Sequence, residues 1–248
     1  MRRSPDDRSE MVSQLLFGEC VEIFRSKGKN WVKVISSHDE YVGWVDKKQV
    51  QKVSKKEHTQ CIKCKVHAFD WVNGAVSETK TIPITAGACL TKFDGLTFKN
   101  QVGKFQYSGQ IIDVDQVKSN GDLVVKIAKQ YLNAPYLWGG RSPFGIDCSG
   151  FTQIVFKFLG FKLPRDAFEQ VTEGKVVDFN HEAKVGDLAF FVNKENKVIH
   201  VGIMVDEGSI IHASGYVRID KLDHFGIYNE ETKKYTHTLK IIKRILPD

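Results

Sequence analysis

Residues 146 to 160, Ile-Asp-Cys-Ser-Gly-Phe-Thr-Gln-Ile-Val-Phe-Lys-Phe-Leu-Gly, constrain the fold of this 248-residue chain more than any other stretch. Phe151, Ile154, Val155, Phe158 and Leu159 recur at i, i+3, i+4, i+7 and i+8, which is one apolar face of an α-helix. Asp147 is a good N-cap residue, and Gly160 is a stop signal just past the last apolar position. The pattern predicts a buried helix with Cys148 in its first turn. There the orphan N–H groups and the positive dipole end favour a thiolate, the nucleophilic form of cysteine. A lone cysteine in such a place is more often a small buried residue, so the rest of the chain has to decide.

Upstream, residues 8 to 52 read as short strands. Turns break them at Gly18-Glu19, Lys27-Gly-Lys-Asn30 and Ser37-His-Asp39, the pattern of a small barrel or sandwich. Residues 53 to 60 are polar and read as a linker. Residues 61 to 117 form a second β-rich unit, with candidate strands at 61 to 69, 81 to 84, 88 to 91 and 111 to 114. From Asn120 the texture changes. Ser119-Asn-Gly-Asp122 resembles a capping box ahead of Leu123, Val124, Ile127, Ala128, Tyr131 and Leu132, a helix that Pro135 ends. A short helix opens after Pro164, with Asp166 near its start. Beyond residue 183 the period switches to strands at 185 to 192, 198 to 205, 209 to 214, 216 to 219 and 239 to 245. Helices followed by an antiparallel sheet give an α+β domain over 120–248.

A cysteine nucleophile needs a base within hydrogen-bond reach and a third group to orient that base. Six of the eight histidines (38, 58, 67, 181, 224 and 237) lie in polar or irregular surroundings and read as surface or loop residues. His200 and His212 lie inside apolar strands, where an unpaired imidazole is costly. A three-residue hairpin loop, Asp206-Glu-Gly208, with Gly208 left-handed, pairs Val205 with Ser209. Paired numbers then sum to about 414, and His200 and His212 become diagonal neighbours on one face. A two- or four-residue loop without a bulge puts them on opposite faces. The register favours a Cys–His–His triad over two unrelated core histidines.

Tyr136-Leu-Trp-Gly-Gly, Asp147-Cys-Ser-Gly-Phe, Val185-Gly-Asp-Leu, His200-Val-Gly-Ile and Ile211-His-Ala-Ser, in this order, resemble the NlpC family of papain-like cell-wall cysteine peptidases. The resemblance covers residues 120 to 246. The Trp-Val-Lys-Val and Tyr-Val-Gly-Trp-Val successions look like a bacterial SH3-like barrel. With Ser9-Glu-Met-Val-Ser-Gln-Leu-Leu-Phe-Gly-Glu19, they resemble a subgroup with two such barrels, the γ-D-glutamyl-L-diamino acid endopeptidases. The resemblance implies two small all-β SH3-like barrels (8–52 and 61–117) followed by an α+β papain-like domain with helices packed on an antiparallel sheet. It implies cleavage of the bond between γ-D-Glu and L-Lys or diaminopimelate in murein peptides with a free N-terminal L-Ala, in cell-wall peptide recycling. Cys148 would be the nucleophile, His200 the base and acid, and His212 the residue orienting His200. Tyr136 would serve the oxyanion beside the Cys148 N–H. Asp147 would bind the substrate's α-amino group, helped by Glu10 and Tyr41, with Ser149 beside it and Arg165 meeting a substrate carboxylate. Ala167 departs from the Ser common in related sequences. The competing readings are a non-catalytic murein-binding protein and a wall-degrading endopeptidase or acyltransferase on the same fold.

Composition narrows the partners. With 42% hydrophobic and 27% charged residues the chain is globular. Its formal charge of +6 is spread out, giving a weak preference for anionic partners and no nucleic-acid footprint. No apolar run reaches the roughly 18 residues of a membrane span. The N-terminus leads into no signal-like apolar region, so a cytoplasmic monomer is expected, or a periplasmic or secreted one if a leader has been removed. Five cysteines at irregular spacing argue against a disulfide framework. Cys61-x-x-Cys64 with His67 is half a zinc site without its other half, so neither metal nor cofactor is expected.

Overall fold

The structure, a computed structural model of the chain, describes residues 1–178 and 182–247. His181 lies outside the described residues. The chain divides into two compact units: residues 1–117 with 139–143, and residues 118–138 with 144–248.

In the first unit, β1 (Val21–Lys27), β2 (Trp31–Ser36) and β3 (Val42–Asp46) form a three-stranded antiparallel sheet. Strand β2 alternates strictly, turning Val32 and Val34 onto a core shared with Val45, Leu15, Val21 and Val50. Residues 55–62 are not a linker. They form α1 (Lys55–Ile62), started by a complete capping box in which Ser54 and Glu57 satisfy each other's backbone N–H. The Ser-x-x-Glu signal is in the sequence, but α1 buries no residue, so no apolar period announces it. The helix carries Cys61 back to Cys20, and the two are disulfide-bonded across 41 residues. The cysteine spacing alone therefore misleads here: it cannot report a pair that a helix brings together.

Strand β4 (Val66–Ala68) pairs with β9 (Ile111–Asp113), and β5 (Val72–Val76), β6 (Thr81–Thr85), β7 (Thr97–Asn100) and β8 (Gly103–Gln106) make a four-stranded sheet in the order β6-β5-β8-β7. Three of these strands, β5, β7 and β8, carry too few apolar residues in register to stand out in the sequence. Ala75, Ile84, Leu90, Phe98, Phe105 and Tyr107 are the core, with Phe98 and Phe105 stacked at 5.4 Å. His67 is not a surface residue but a buried member of β4. A short strand β10 (Arg141–Ser142) brings Arg141 into this unit, where its guanidinium is bidentate on Glu19 at 2.8 and 3.0 Å and donates to the Gln14 carbonyl at 2.7 Å.

The second unit opens with α2 (Gly121–Lys129), capped by Asn120 rather than Ser119 and ending earlier than its apolar period suggests. Strand β11 (Gly145–Ile146) leads into α3 (Cys148–Lys157), in which every residue is buried; α4 (Ala167–Gln170) follows. The sheet comprises β12 (Lys175–Val177), β13 (Leu188–Val192), β14 (Val198–Asp206), β15 (Ser209–Ser214), β16 (Tyr216–Asp223), β17 (Gly226–Asn229) and β18 (Lys234–Arg244). It is antiparallel, as expected, but it closes: β18 pairs with β13 through its later residues and with β17 through its earlier ones. Ala189, Phe191, Met204, Ile210, Leu222, Ile227 and Ile242 cluster together. Their neighbours Leu188, Phe190, Val201, Ile203 and Ile211 are also fully buried, and α3 packs on β14 and β15. Among the described residues no helix is long and apolar enough to cross a membrane.

The Glu19–Arg141 pair is almost wholly buried, with side chains 2% and 1% exposed. Removing one partner leaves an uncompensated buried charge. Glu19→Ala is expected to lower stability by about 3–5 kcal/mol, and Glu19→Met with Arg141→Met to recover most of it. Denaturant unfolding followed by tryptophan fluorescence checks this; a Glu19→Ala cost below about 1 kcal/mol would mean that water reaches the pair.

Candidate active site

Helix α3 starts where Asp147 leaves extended geometry (φ −94°, ψ 176°) and its carboxylate accepts from the Gly150 N–H at 2.7 Å. This fixes Cys148 as the first helical residue, buried against β14, where its sulfur meets the backbone N–H of Val201, the residue after His200. The imidazole of His200 is hydrogen-bonded through Nε2 to Nδ1 of His212 at 2.8 Å, with the rings edge to face. His200 Nδ1 is thereby the ring nitrogen not engaged by His212.

The register that joins the histidines is the expected one, reached by another device. Ile203 pairs with Ile211 and Met204 with Ile210, but the turn is two residues long, with Asp206 paired to Ser209 and a bulge after Met204. Gly208 is not left-handed. The bulge replaces the third loop residue and keeps both histidines on one face. Gly202 lies between them: a Cβ there would come within 2.9 Å of the His212 Cβ and 2.7 Å of Ile210.

Two further residues complete the cluster, and the sequence reading missed both. His237, read as a loop residue, lies on β18 and stacks on His200 with centroids 4.2 Å apart and planes 27° apart. Its neighbours Lys234–Tyr235 and Lys240 are exposed, which hides a single inward-facing ring. Asp220, on β16, meets His212 Nε2 at 3.0 Å and is clamped by Arg218 at 2.9 Å. Arg-x-Asp on a strand puts both side chains on one face; that spacing was the available signal.

The electrostatics correct the thiolate expectation. Burial first, then Asp147, pushes the Cys148 thiol up to about 12; the N–H groups of Val201 and Ser149 and the Arg165 guanidinium pull the other way without offsetting this. Burial, with His212 and His237, holds His200 well below the ordinary imidazole range. The resting pair is therefore a neutral thiol and a neutral imidazole, and a helix N-terminus worth about 0.3–1 kcal/mol does not overcome burial. Burial, with Cys148 and Asp147, pushes Tyr136 up to about 12, so its hydroxyl keeps its proton.

Asp147, Ser149 and Arg165 are brought together, but mainly with one another. Arg165, 1% exposed, is bidentate on Asp147 at 3.0 and 2.6 Å and donates to the Ser149 hydroxyl at 2.9 Å. The charge of Arg165 is thus engaged by Asp147, because a buried carboxylate at position 147 needs a countercharge. Glu10 and Tyr41 belong to the first unit; Glu10 is ion-paired with Arg3 at 2.7 Å. Among the described residues no group of three or more His, Cys, Asp or Glu is arranged to hold a metal ion.

The NlpC/P60 family profile matches residues 133–240, and the bacterial dipeptidyl-peptidase SH3 domain profile matches residues 1–50. A γ-D-glutamyl-L-lysine dipeptidyl-peptidase from Bacillus subtilis (strain 168) is 35% identical over 214 residues, covering 81% of this chain and 71% of that protein. A protein of the same name from Bacillus cereus ATCC 10987 is 28% identical, covering 83% and 68%. A crystal structure of an NlpC/P60 family protein from Bacillus cereus ATCC 10987 superposes with a TM-score of 0.78 at 25% identity, over 95% of this chain and 82% of that one.

A base at His200 would have to be neutral, so the depressed pKa of that ring would carry such a role below the ordinary imidazole value of about 6.5. His237→Phe keeps the stacked ring and removes one neighbour that disfavours the charged His200. The acid limb of Cys148 alkylation by chloroacetamide should then move to higher pH while staying below about 6.5. An unmoved limb would show that His237 only packs.

Proposed function

The chain belongs to the NlpC/P60 family of cysteine peptidases, and from that premise we propose that it hydrolyses the bond between γ-D-Glu and the following L-diamino acid, L-Lys or diaminopimelate, in murein peptides that begin with a free L-Ala. The observation that carries this reading is the 2.8 Å His200–His212 hydrogen bond in a buried cluster with Cys148 at a helix start. A protein that only bound murein would have no use for a buried imidazole pair beside a thiol. The names of the two Bacillus relatives supply the substrate class.

The steps follow from the charges. His200 Nδ1 takes the thiol proton as the sulfur attacks the γ-carbonyl, because the resting thiol is too weak an acid to ionise alone. The oxyanion is received by the Cys148 N–H and the neutral Tyr136 hydroxyl. His200 then protonates the leaving amine, and water hydrolyses the thioester by the reverse proton path. Asp147, with its charge matched by Arg165, marks the amine end of the cleft and holds α3 in place. The second β unit, with its own core, is read as a divergent second SH3-like barrel, giving domains over 8–52, 61–117 and 120–248.

A free L-Ala amine exists only after an amidase has removed the muramyl sugar, so the enzyme would work on released peptides as a monomer. The Cys20–Cys61 disulfide supports the periplasmic or secreted alternative over a cytoplasmic location, since cytosolic thiols are kept reduced.

L-Ala-γ-D-Glu-L-Lys and its N-acetyl counterpart test the substrate reading. The free peptide should be cut with kcat/KM about tenfold to a hundredfold higher, the size expected when one charge-assisted hydrogen bond from the ammonium is lost. Cys148→Ala should retain the fold and lose turnover. Comparable rates on both peptides would remove the amine requirement, and turnover by Cys148→Ala would remove the cysteine mechanism.

A further inference from the structure

A carboxylate at one end of a chain of imidazoles does more than hold the nearest ring. Asp220 is held below the usual carboxylate range because hydrogen bonds from His212 and Arg218 outweigh the effect of burial, so it is an acceptor only. His212 Nε2, 3.0 Å away, must then carry a proton and donate it. With His212 neutral the ring has one N–H, and its Nδ1 is then a bare acceptor. The ring nitrogen facing it at 2.8 Å, His200 Nε2, must therefore be the donor. His200 Nδ1 is left with a lone pair, which is the state a base needs in order to take the thiol proton of Cys148. Reversing the first link reverses every other. Were His212 to donate from Nδ1, His200 Nε2 would accept, its proton would move to Nδ1, and the base would be blocked.

We propose that Asp220 is a positioning residue that sets the protonation pattern of both histidines, so that the site works as a directed chain from Asp220 through His212 and His200 to Cys148. The proposal deepens the cysteine-peptidase reading and rests on it for the role of His200. The groups around Asp220 fit the task. Arg218, paired with His212 across the β15–β16 ladder, donates to Oδ1 at 2.9 Å and keeps the carboxylate ionised. Glu231 meets the same guanidinium at 3.5 Å from the outside. Glu230, His237 and Lys221 are the other titratable groups nearby; Lys221 is taken up by Glu230 at 2.7 Å, and His237 Nδ1 is hydrogen-bonded to the Thr236 hydroxyl at 2.9 Å. Asp220 is diagonal to His212, being paired with Ile210, so its carboxylate reaches along the face to the far nitrogen instead of crowding the near one.

Nitrogen-15 NMR of the histidines in the resting full chain reads the pattern directly. Both His200 and His212 should be protonated at Nε2 and bare at Nδ1 near neutral pH; the opposite tautomer on either ring overturns the proposal. Asp220→Asn, which can donate as well as accept, should populate the reversed pattern. It should slow Cys148 alkylation at least tenfold and lower kcat by about a hundredfold to ten-thousandfold with KM little changed, as loss of the orienting carboxylate does in a serine triad. Asp220→Glu should restore part of both. Unchanged tautomers and alkylation in a folded Asp220→Asn variant would refute the assignment. If that variant does not fold, the resting-state spectrum still decides. Because alkylation needs no peptide, correct tautomers and a slowed Asp220→Asn variant without cleavage of the γ-D-Glu peptide would support this inference while refuting the substrate reading.

Discussion

The hydrogen bond between two buried imidazoles, His200 to His212, is the constraint on which the second unit depends. Neither ring is tolerable alone on the inner face of a β-sheet, and both together are tolerable only in one register. That register requires the bulge after Met204 and the absence of a side chain at Gly202. It also fixes which ring nitrogen of His200 is not engaged by His212. Helix α3 supplies that sulfur, and it can do so because every one of its residues is buried against its surroundings.

A second interaction supports this first one. Asp147 starts α3 and in doing so puts a negative charge next to the nucleophile, which works against ionising it. Arg165 neutralises that charge with two hydrogen bonds and also holds Ser149. Burial nonetheless keeps the Cys148 thiol protonated at rest. In the proposed reaction proton transfer would wait for the substrate carbonyl, and the depressed basicity of His200 would limit loss of its neutral form to more acidic conditions.

Much of this was legible in the chain, for identifiable reasons. The apolar period of 151–159, the N-cap at Asp147 and the summed register of 414 depend on local chemistry, and they located Cys148, His200 and His212 correctly relative to their elements. What the sequence hid was mostly non-local. His237 comes from a strand whose neighbours are exposed, and its stacking partner is 37 residues earlier. Asp220 sits among alternating polar residues of β16 that read as a solvated face. The helix α1 gave only a capping signal, and its disulfide to Cys20 depends on a chain reversal that no spacing rule encodes. Closure of the second-unit sheet through β17 was invisible because β17 is four residues long and begins at a left-handed Gly226.

That closure has a consequence for recognition. With β18 joined to both β13 and β17, every strand of the sheet except the three-residue β12 has partner strands on both sides over part of its length. Many peptide-binding proteins hold an extended ligand by letting it pair as one more strand. Here the incomplete stretch is on β14, whose residues Val198–Gly202 have no β15 partner and whose Val201 N–H meets the Cys148 sulfur, so the backbone ladder that stays open lies beside the cysteine.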